Sequence, residues 1–369
     1  MLEKSFLPYK ITVCQLAHNY KNVVGCMKDT KRARIIRELK QSALTGSGGI
    51  SRAEAAEKLG IDLRTAAVYL EELSAGGLLR SETVPCAGKG RPHSVYRSNA
   101  DNLSFLGLQI SGSFTASVVL VDSVGRKLAA EKFALPENGS RLSVFSALLD
   151  VVRKYQDFQN KRLYAVGLAI SRWLQPPLAG EDVYANLAEY LQRESSVAVY
   201  RDVNINAVSF AAGFKLNCRN LAIVHPGRVI EFGLVVDGVP DKEFARREAW
   251  LSHLCVNPEG SRCYCGKYGC LENYVTSGAR SERINPANVQ AVTPTLGRML
   301  GVAMVRIARK YPLEKIILHG ADELFPAAEE YFSQRIGNTC NLCLNHQLPE
   351  VDYGAALLAV HYELYRYTR

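Results

Sequence analysis

The sequence predicts an α/β protein: a winged helix-turn-helix at the N-terminal end, followed by a body of two α/β lobes. Three observations predict it. Residues 51–73 hold two short helices, each opened by its own capping residue and separated by Gly60. Two sets of apolar β runs, starting at Leu103 and at Leu221, are each followed by alternating helix and strand patterns. Charge is unevenly divided: the chain carries +9, and residues 1–100, with 16 Lys/Arg against 9 Asp/Glu, hold +7 of it. A cationic end on a near-neutral body is the electrostatic footprint of nucleic-acid binding.

The elements follow in order. Residues 1–29 form an extension of no assigned role, and residues 30–99 form the head. Thr30 caps a helix over 31–40, which Thr45-Gly-Ser-Gly-Gly49 ends. Ser51 and Glu54 make a capping box in which each side chain satisfies an orphan amide of the other. That helix ends at Gly60, Asp62 caps the next over 63–73, and small Ala56 sits at the crossing. Strands over 79–84 and 94–97 flank Gly88-Lys-Gly-Arg-Pro92, a basic wing. In this arrangement the second helix enters a major groove and offers Arg64, Thr65 and Val68 to base edges. Ser51 and Arg52, at the start of the first helix, meet phosphate. Lys89 and Arg91 on the wing reach the minor groove.

The body occupies residues 103–369. Strands over 103–110, 115–122 and 127–135 precede a helix over 141–157 and a buried strand over 165–171. The cycle restarts with strands over 221–225 and 229–236, a helix over 295–310 and a strand over 315–319. A last helix covers 351–367.

Between these cycles lies His253-Leu-Cys255, then Cys263-Tyr-Cys265-Gly-Lys-Tyr-Gly-Cys270-Leu-Glu272. One imidazole and three close thiols beside glycine turns suit a tetrahedral metal. His253, Cys263, Cys265 and Cys270 supply a closed Cys3His set for structural Zn2+, and Cys255 is the poorer fourth ligand. Four protein ligands leave no position to activate water. Cys340 and Cys343 read as buried thiols on a strand rather than as a redox pair.

This run, ending in Cys-Leu-Glu, resembles the zinc signature of the ROK family, named for its repressors and sugar kinases. The head, with its Gly-Arg-Pro wing, resembles the N-terminal segment of the family's repressors, which its kinases lack. The resemblance covers nearly everything from Thr30 to the last helix. It implies a two-lobed, actin-like sugar-kinase body, its C-terminal helix packing back on the first lobe. The stretches after Ser171 and after Glu272 look shorter than is usual for the family.

The resemblance also implies which chemistry is absent. Family kinases cradle ATP on glycine-rich loops. Here Gln109-Ile-Ser-Gly-Ser-Phe114 replaces an Asp-x-Gly-Gly-Thr turn, so the metal-orienting Asp is Gln109. Gly227-Arg-Val-Ile-Glu-Phe-Gly233 replaces Gly-Thr-Gly-x-Gly-x-Gly, with Val229 and Glu231 in place of glycines. His319-Gly320 replaces a glycine pair. Three altered loops imply no ATP and no phosphoryl transfer. Of the residues that hold sugar hydroxyls in the family, Asp202, His253 and Glu272 remain, whereas Arg201 replaces an Asn and Trp250 a Glu. These five mark a pocket for a sugar-like effector, with Arg201 and Trp250 suited to an anionic or stacked group.

No apolar run approaches the roughly 20 residues that span a bilayer, and the first residues lack a signal-peptide pattern, so a cytoplasmic location without membrane contact is expected. The combined expectation is a non-enzymatic, repressor-type transcriptional regulator of carbohydrate-related genes. It would bind a double-stranded operator as a homodimer, because one recognition helix reads too few base pairs. The alternative is an ATP-dependent sugar kinase with unusual loops.

Overall fold

The computed structural model describes residues 49–85, 92–111, 115–136, 140–170, 184, 186–247, 249–345 and 347–365. The extension over 1–29, the helix expected over 31–40, and Lys89 and Arg91 of the wing lie outside the described residues. Contacts divide the chain into two compact units, one reaching Asn99 and the other spanning Ala100–Arg366.

In the first unit, β1 (Ile50–Ser51), α1 (Arg52–Leu59), α2 (Leu63–Ala75), β2 (Leu79–Val84) and β3 (His93–Ser98) follow one another. The capping box forms: Glu54 N–H donates to Ser51 Oγ and Ser51 N–H to Glu54 Oε2, at 3.2 and 2.7 Å. Gly60 closes α1 in the left-handed region at φ 60°, and Asp62 Oδ1 accepts from Thr65 N–H at 2.9 Å to open α2. Ala55 is fully buried, whereas Ala56, expected at the crossing, is half-buried. Ala56 lies one residue, about 100°, around the helix and uses its carbonyl to accept from Ile61 N–H. The two expected strands gain a third, because Ile50 and Ser51 pair with Tyr96 and Val95 to give the order β1-β3-β2.

The second unit repeats one plan. In its first lobe β4 (Leu103–Ser111), β5 (Thr115–Asp122) and β6 (Lys127–Ala134) make an antiparallel meander, and α3 (Arg141–Lys154) follows. The hairpin of β7 (Asp157–Phe158) and β8 (Lys161–Ile170) lays β8 parallel to β4. After α4 (Leu187–Ser195), β9 (Ala198–Val203) lies parallel to β8. In the second lobe, after α5 (Asn204–Leu216), the strands β10 (Leu221–Pro226), β11 (Ile230–Val236) and β12 (Val239–Pro240) repeat the meander. Then come α6 (Glu272–Val275), α7 (Ser277–Arg283), α8 (Val289–Lys310), β13 (Lys315–Leu318), α9 (Phe325–Ile336), β14 (Asn341–Leu344) and α10 (Val351–Val360). Here β13 runs parallel to both β10 and β14, for a sheet order β12-β11-β10-β13-β14.

Three boundaries differ from expectation. The helix expected over 141–157 ends at Lys154, because Gln159 and Asn160 take positive φ of 52° and 61° to turn the β7–β8 hairpin. The helix expected from 295 starts at Val289 and runs through Pro294, forfeiting the hydrogen bond a proline cannot donate. The last helix stays α-helical to Val360 and continues as a π turn over His361–Tyr365.

The helix α10 lies on β4 and β8 at a distance only glycine allows. A Cβ on Gly107 would sit 1.8 Å from the carbonyl oxygen of Asp352, and one on Gly167 1.8 Å from that of Ala355. Since both obstacles are backbone, Gly167→Ala must push the helix off the sheet. The expected loss is about 3 kcal/mol or more, read as a lower denaturant midpoint. An unchanged midpoint would show that the approach is looser than described. Among the described residues, no helix is long and apolar enough to cross a membrane.

Candidate metal centre and the site beside it

The run from His253 to Glu272 is a knot of tight turns. Cys263 C=O accepts from Gly266 N–H at 2.9 Å, and Cys263 N–H donates to Lys267 C=O at 2.7 Å. Gly266 and Gly269 have φ of 90° and 62°, and a Cβ on Gly269 would lie 1.5 Å from Asn257 O, so the turn accepts no side chain there. These turns bring together the four residues that the spacing selects. One ligand atom each from His253, Cys263, Cys265 and Cys270 lies within 4.8 Å of every other. Cys263 Sγ is 3.5 Å from His253 Nδ1, and Cys265 Sγ is 3.6 Å from Cys270 Sγ.

A tetrahedral ion with metal–sulfur and metal–nitrogen bonds of about 2.3 and 2.1 Å requires edges of about 3.8 Å between sulfurs and about 3.6 Å between sulfur and nitrogen. The donor set fits such an ion. Cys255 is exposed and stands outside the group, joined to Cys270 by a backbone bridge. Burial, with Lys267 nearby, holds the His253 imidazole below its ordinary pKa, which favours the neutral, ligating form.

Two residues beyond Cys270, at the start of α6, Glu272 is 6% exposed and its Oε2 has no hydrogen-bond partner. Burial raises its pKa from 4.5 to about 7, opposed by the hydrogen bond from the Ile230 backbone. The native state therefore holds this proton more tightly than the unfolded chain. Stability falls as pH rises from 4.5 toward 7, and the penalty is complete above that window. Glu272→Gln removes the titration. It is expected to stabilise the protein by up to about 3 kcal/mol at pH 8, and by little at pH 4.5. Melting curves of both proteins across pH measure this, and parallel curves would contradict it. Asn204 Oδ1, at the start of α5, is also buried without a partner.

Asp202, at the end of β9, is differently placed. Its Oδ1 accepts from Val203 N–H and Asn206 Nδ2, both at 2.8 Å. Its Oδ2 accepts from Tyr362 Oη at 3.1 Å and faces Lys242 Nζ at 3.6 Å, an ammonium that lies 4.1 Å over the Tyr362 ring. Hence Asp202 is neutralised from within, by a lysine carried on the second lobe. Strand alternation puts Arg201 on the opposite face from Asp202. Trp250, 39% exposed on a short 3-10 turn, has Arg306 5.7 Å from its ring centroid.

Of the three loops compared above with nucleotide-binding loops, residues 112–114 of the first lie outside the described residues; the other two are packed by residues the sequence reading did not single out. A Cβ on Gly227 would meet His225 Nε2 at 2.6 Å, and one on Gly320 would meet His225 Cε1 at 3.0 Å, so one imidazole fills both places. His225 Nδ1 lies 3.0 Å from His319 O, and the two imidazole centroids are 5.2 Å apart. Arg280, its side chain 11% exposed, pairs with Glu323 at 2.7 Å. It donates to the carbonyls of Pro226, Val275 and Gly320 at 2.8, 2.5 and 2.7 Å. One guanidinium thus joins the β10–β11 hairpin, α6 and the turn after β13. Glu231 sits in β11, opposite His225. No motif marks His225 or Arg280, because their role depends on loops about 95 and 40 residues away closing around them.

In the first unit Arg64 is exposed and Val68 is 53% exposed on α2, with Leu63 beside them at 56%. Thr65 Oγ1 donates to Asp62 Oδ2 at 2.6 Å. Ser51 Oγ is engaged in the cap, and Arg52 reaches Glu71 Oε1 at 2.7 Å and Tyr96 Oη at 3.1 Å. Arg52 therefore braces α1 against α2 and β3.

Comparison with known proteins gives relatives of two kinds. Over 254 residues the chain is 25% identical to the DNA-binding transcriptional dual regulator NagC of Escherichia coli (strain K12), covering 64% of this chain and 61% of that protein. It is 28% identical over 191 residues to a kanosamine kinase of Amycolatopsis mediterranei (strain S699), covering 48% of this chain and 61% of the kinase. The chain thus spans about three fifths of the length of each. Among solved structures, a ROK family transcriptional regulator described as a homologue of the E. coli MLC protein superposes with a TM-score of 0.64 at 19% identity. It covers 91% of this chain and 96% of its own. The ROK family profile matches residues 106–353, about two thirds of the sequence, and the chain belongs to the ROK family.

Proposed function

We propose that this chain is a DNA-binding transcriptional regulator of the repressor type, with a winged helix-turn-helix head and a non-catalytic body. The observation that carries this reading is α2, with Leu63, Arg64 and Val68 turned outward on a helix braced by Arg52, within the part of the chain that holds most of its positive charge. Outward apolar and basic side chains on a short capped helix are what base edges and thymine methyls require. Similarity to NagC and the coverage of the solved regulator support it. A double-stranded operator, read by a homodimer in a cytoplasmic setting, is the partner this reading implies.

The body is proposed to sense rather than to phosphorylate. What supports this is that the His225 imidazole packs against both Gly227 and Gly320, that Arg280 ties the same two loops together through their carbonyls, and that Asp202 is held by Lys242 and Tyr362. Buried acceptors without partners, Glu272 Oε2 and Asn204 Oδ1, call for donors such as sugar hydroxyls, and carbohydrate-related genes are the matching targets. The effector pocket is proposed to include Glu272 and Asn204, with Trp250, Asp202 and His253 around it, whereas Arg201, expected from the sequence to join them, lies on the other face of β9 from Asp202. The Cys3His group would hold Zn2+ in a structural role, ordering the chain that leads into Glu272.

Two measurements test this. Genomic fragments retained by the protein and sequenced should converge on a two-fold symmetric operator, and random recovery would defeat the DNA reading. Because a kanosamine kinase is also similar, incubation with labelled ATP and mixed hexoses is the second measurement. Sugar phosphate formed at turnover would favour the kinase reading.

A further inference from the structure

We propose that Cys265 is a site of oxidative modification: hydrogen peroxide oxidises its thiolate, and Cys270 then closes a Cys265–Cys270 disulfide that expels the metal. The inference rests on reading the knot as a zinc site and adds a chemical sensitivity to it.

The three thiols are not equivalent. Cys263 is 3% exposed and Cys270 fully buried, whereas Cys265 is exposed at the tip of the turn. Its neighbour Gly266 has no side chain, and a Cβ there would meet nothing within 4 Å, so the turn beside the exposed Cys265 is uncrowded. Zinc keeps its cysteines as thiolates, the form that reacts with peroxide, and accessibility then decides which one reacts. The partner is already in place, because Cys270 Sγ lies 3.6 Å from Cys265 Sγ while Cys263 Sγ is set against His253 Nδ1. A disulfide of about 2.05 Å requires the two sulfurs to close by roughly 1.5 Å. The connecting residues 266–269 include Gly266 and Gly269, which can absorb that movement.

The chemistry balances in two steps. The Cys265 thiolate attacks one peroxide oxygen and the O–O bond breaks, giving a sulfenic acid and hydroxide. The Cys270 thiolate then attacks the sulfenic sulfur, forming the S–S bond and releasing a second hydroxide. With two protons taken up, two thiolates and one peroxide become one disulfide and two waters, the sulfurs supplying both electrons. The ion loses two of its four ligands and keeps only His253 and Cys263, too few for a stable site. Leu271 and Glu272, whose N–H groups donate to Leu254 O and Ser252 O at 2.8 Å, follow Cys270 directly. Loss of the knot therefore reaches Glu272, whose Oε2 has no hydrogen-bond partner.

The test uses the full chain purified with its metal. Elemental analysis first establishes one zinc per chain, and a protein without zinc overturns both the zinc reading and this proposal. Peroxide is then added while a chromophoric chelator reports released zinc, and tryptic mass spectrometry identifies the disulfide. One zinc released per Cys265–Cys270 disulfide is expected, reversed by dithiothreitol and added zinc. Cys255→Ser should behave as wild type, and Cys265→Ser, where it retains zinc, should release it at least roughly tenfold more slowly. Zinc retained under peroxide with no such disulfide overturns this proposal and leaves the zinc reading standing. A disulfide that disappears in Cys255→Ser overturns the assignment of Cys270 as partner.

Discussion

Stripping the metal from this protein with a strong chelator is expected to lower its melting temperature by on the order of 10 °C. An ion held at a thousandfold above its dissociation constant stabilises by about 4 kcal/mol, and a body of this size shifts by roughly 2–4 °C per kcal/mol. The strand pairing of the knot is limited to the isolated bridges Cys255–Cys270 and Arg262–Tyr268, and most residues from Ser261 to Tyr268 are exposed. Cys270→Ala should be at least as damaging, since it removes a ligand and leaves a gap at a fully buried position. Burial pushes the Cys270 thiol up to about 12 and raises that of Cys263, so loading the ion displaces protons. Zinc occupancy should accordingly fall as pH is lowered. Differential scanning calorimetry with parallel metal analysis decides the matter, and an unchanged melting curve after complete removal would show that the group is not structural.

Arg64→Ala is expected to weaken operator binding by about 1–3 kcal/mol, roughly a fivefold to 150-fold loss, and to relax preference at one base position. The reasoning is local. Arg64 is an exposed guanidinium in the first turn of α2, where recognition helices meet base edges. Arg52→Ala is the informative control. Its guanidinium is engaged with Glu71 and Tyr96, so its loss should act through the packing of the head and cost affinity evenly across sequences. Quantitative gel shifts on wild-type and single-base operator variants separate the two. Equal retention of DNA by wild type and Arg64→Ala would mean that α2 does not read the groove.

Much of this molecule is written locally. The Ser51–Glu54 box, Gly60 and Asp62 specify two helices because each satisfies amides within its own turn. The strand β2 falls where alternation placed it, at Leu79–Val84, and the Cys-x-Cys-x4-Cys spacing selected the same four ligands that the turns assemble. Boundaries went astray where a neighbour in space intervened, as at the β7–β8 hairpin, or where a penalty was outweighed, as at Pro294.

The sequence by itself determined the two helices after Ser51 and Asp62, the repeated lobe plan and the candidate metal-binding group, because caps, periodicity and thiol spacing act over a few residues. Tertiary structure alone decided that Asp202 is paired with Lys242, that His225 packs against Gly227 and Gly320 while Arg280 ties their loops together, and that Cys265 is the exposed thiol of the His253–Cys270 group. Those outcomes depend on electrostatic pairing, close packing and burial between segments far apart in the chain, which only the folded arrangement brings together.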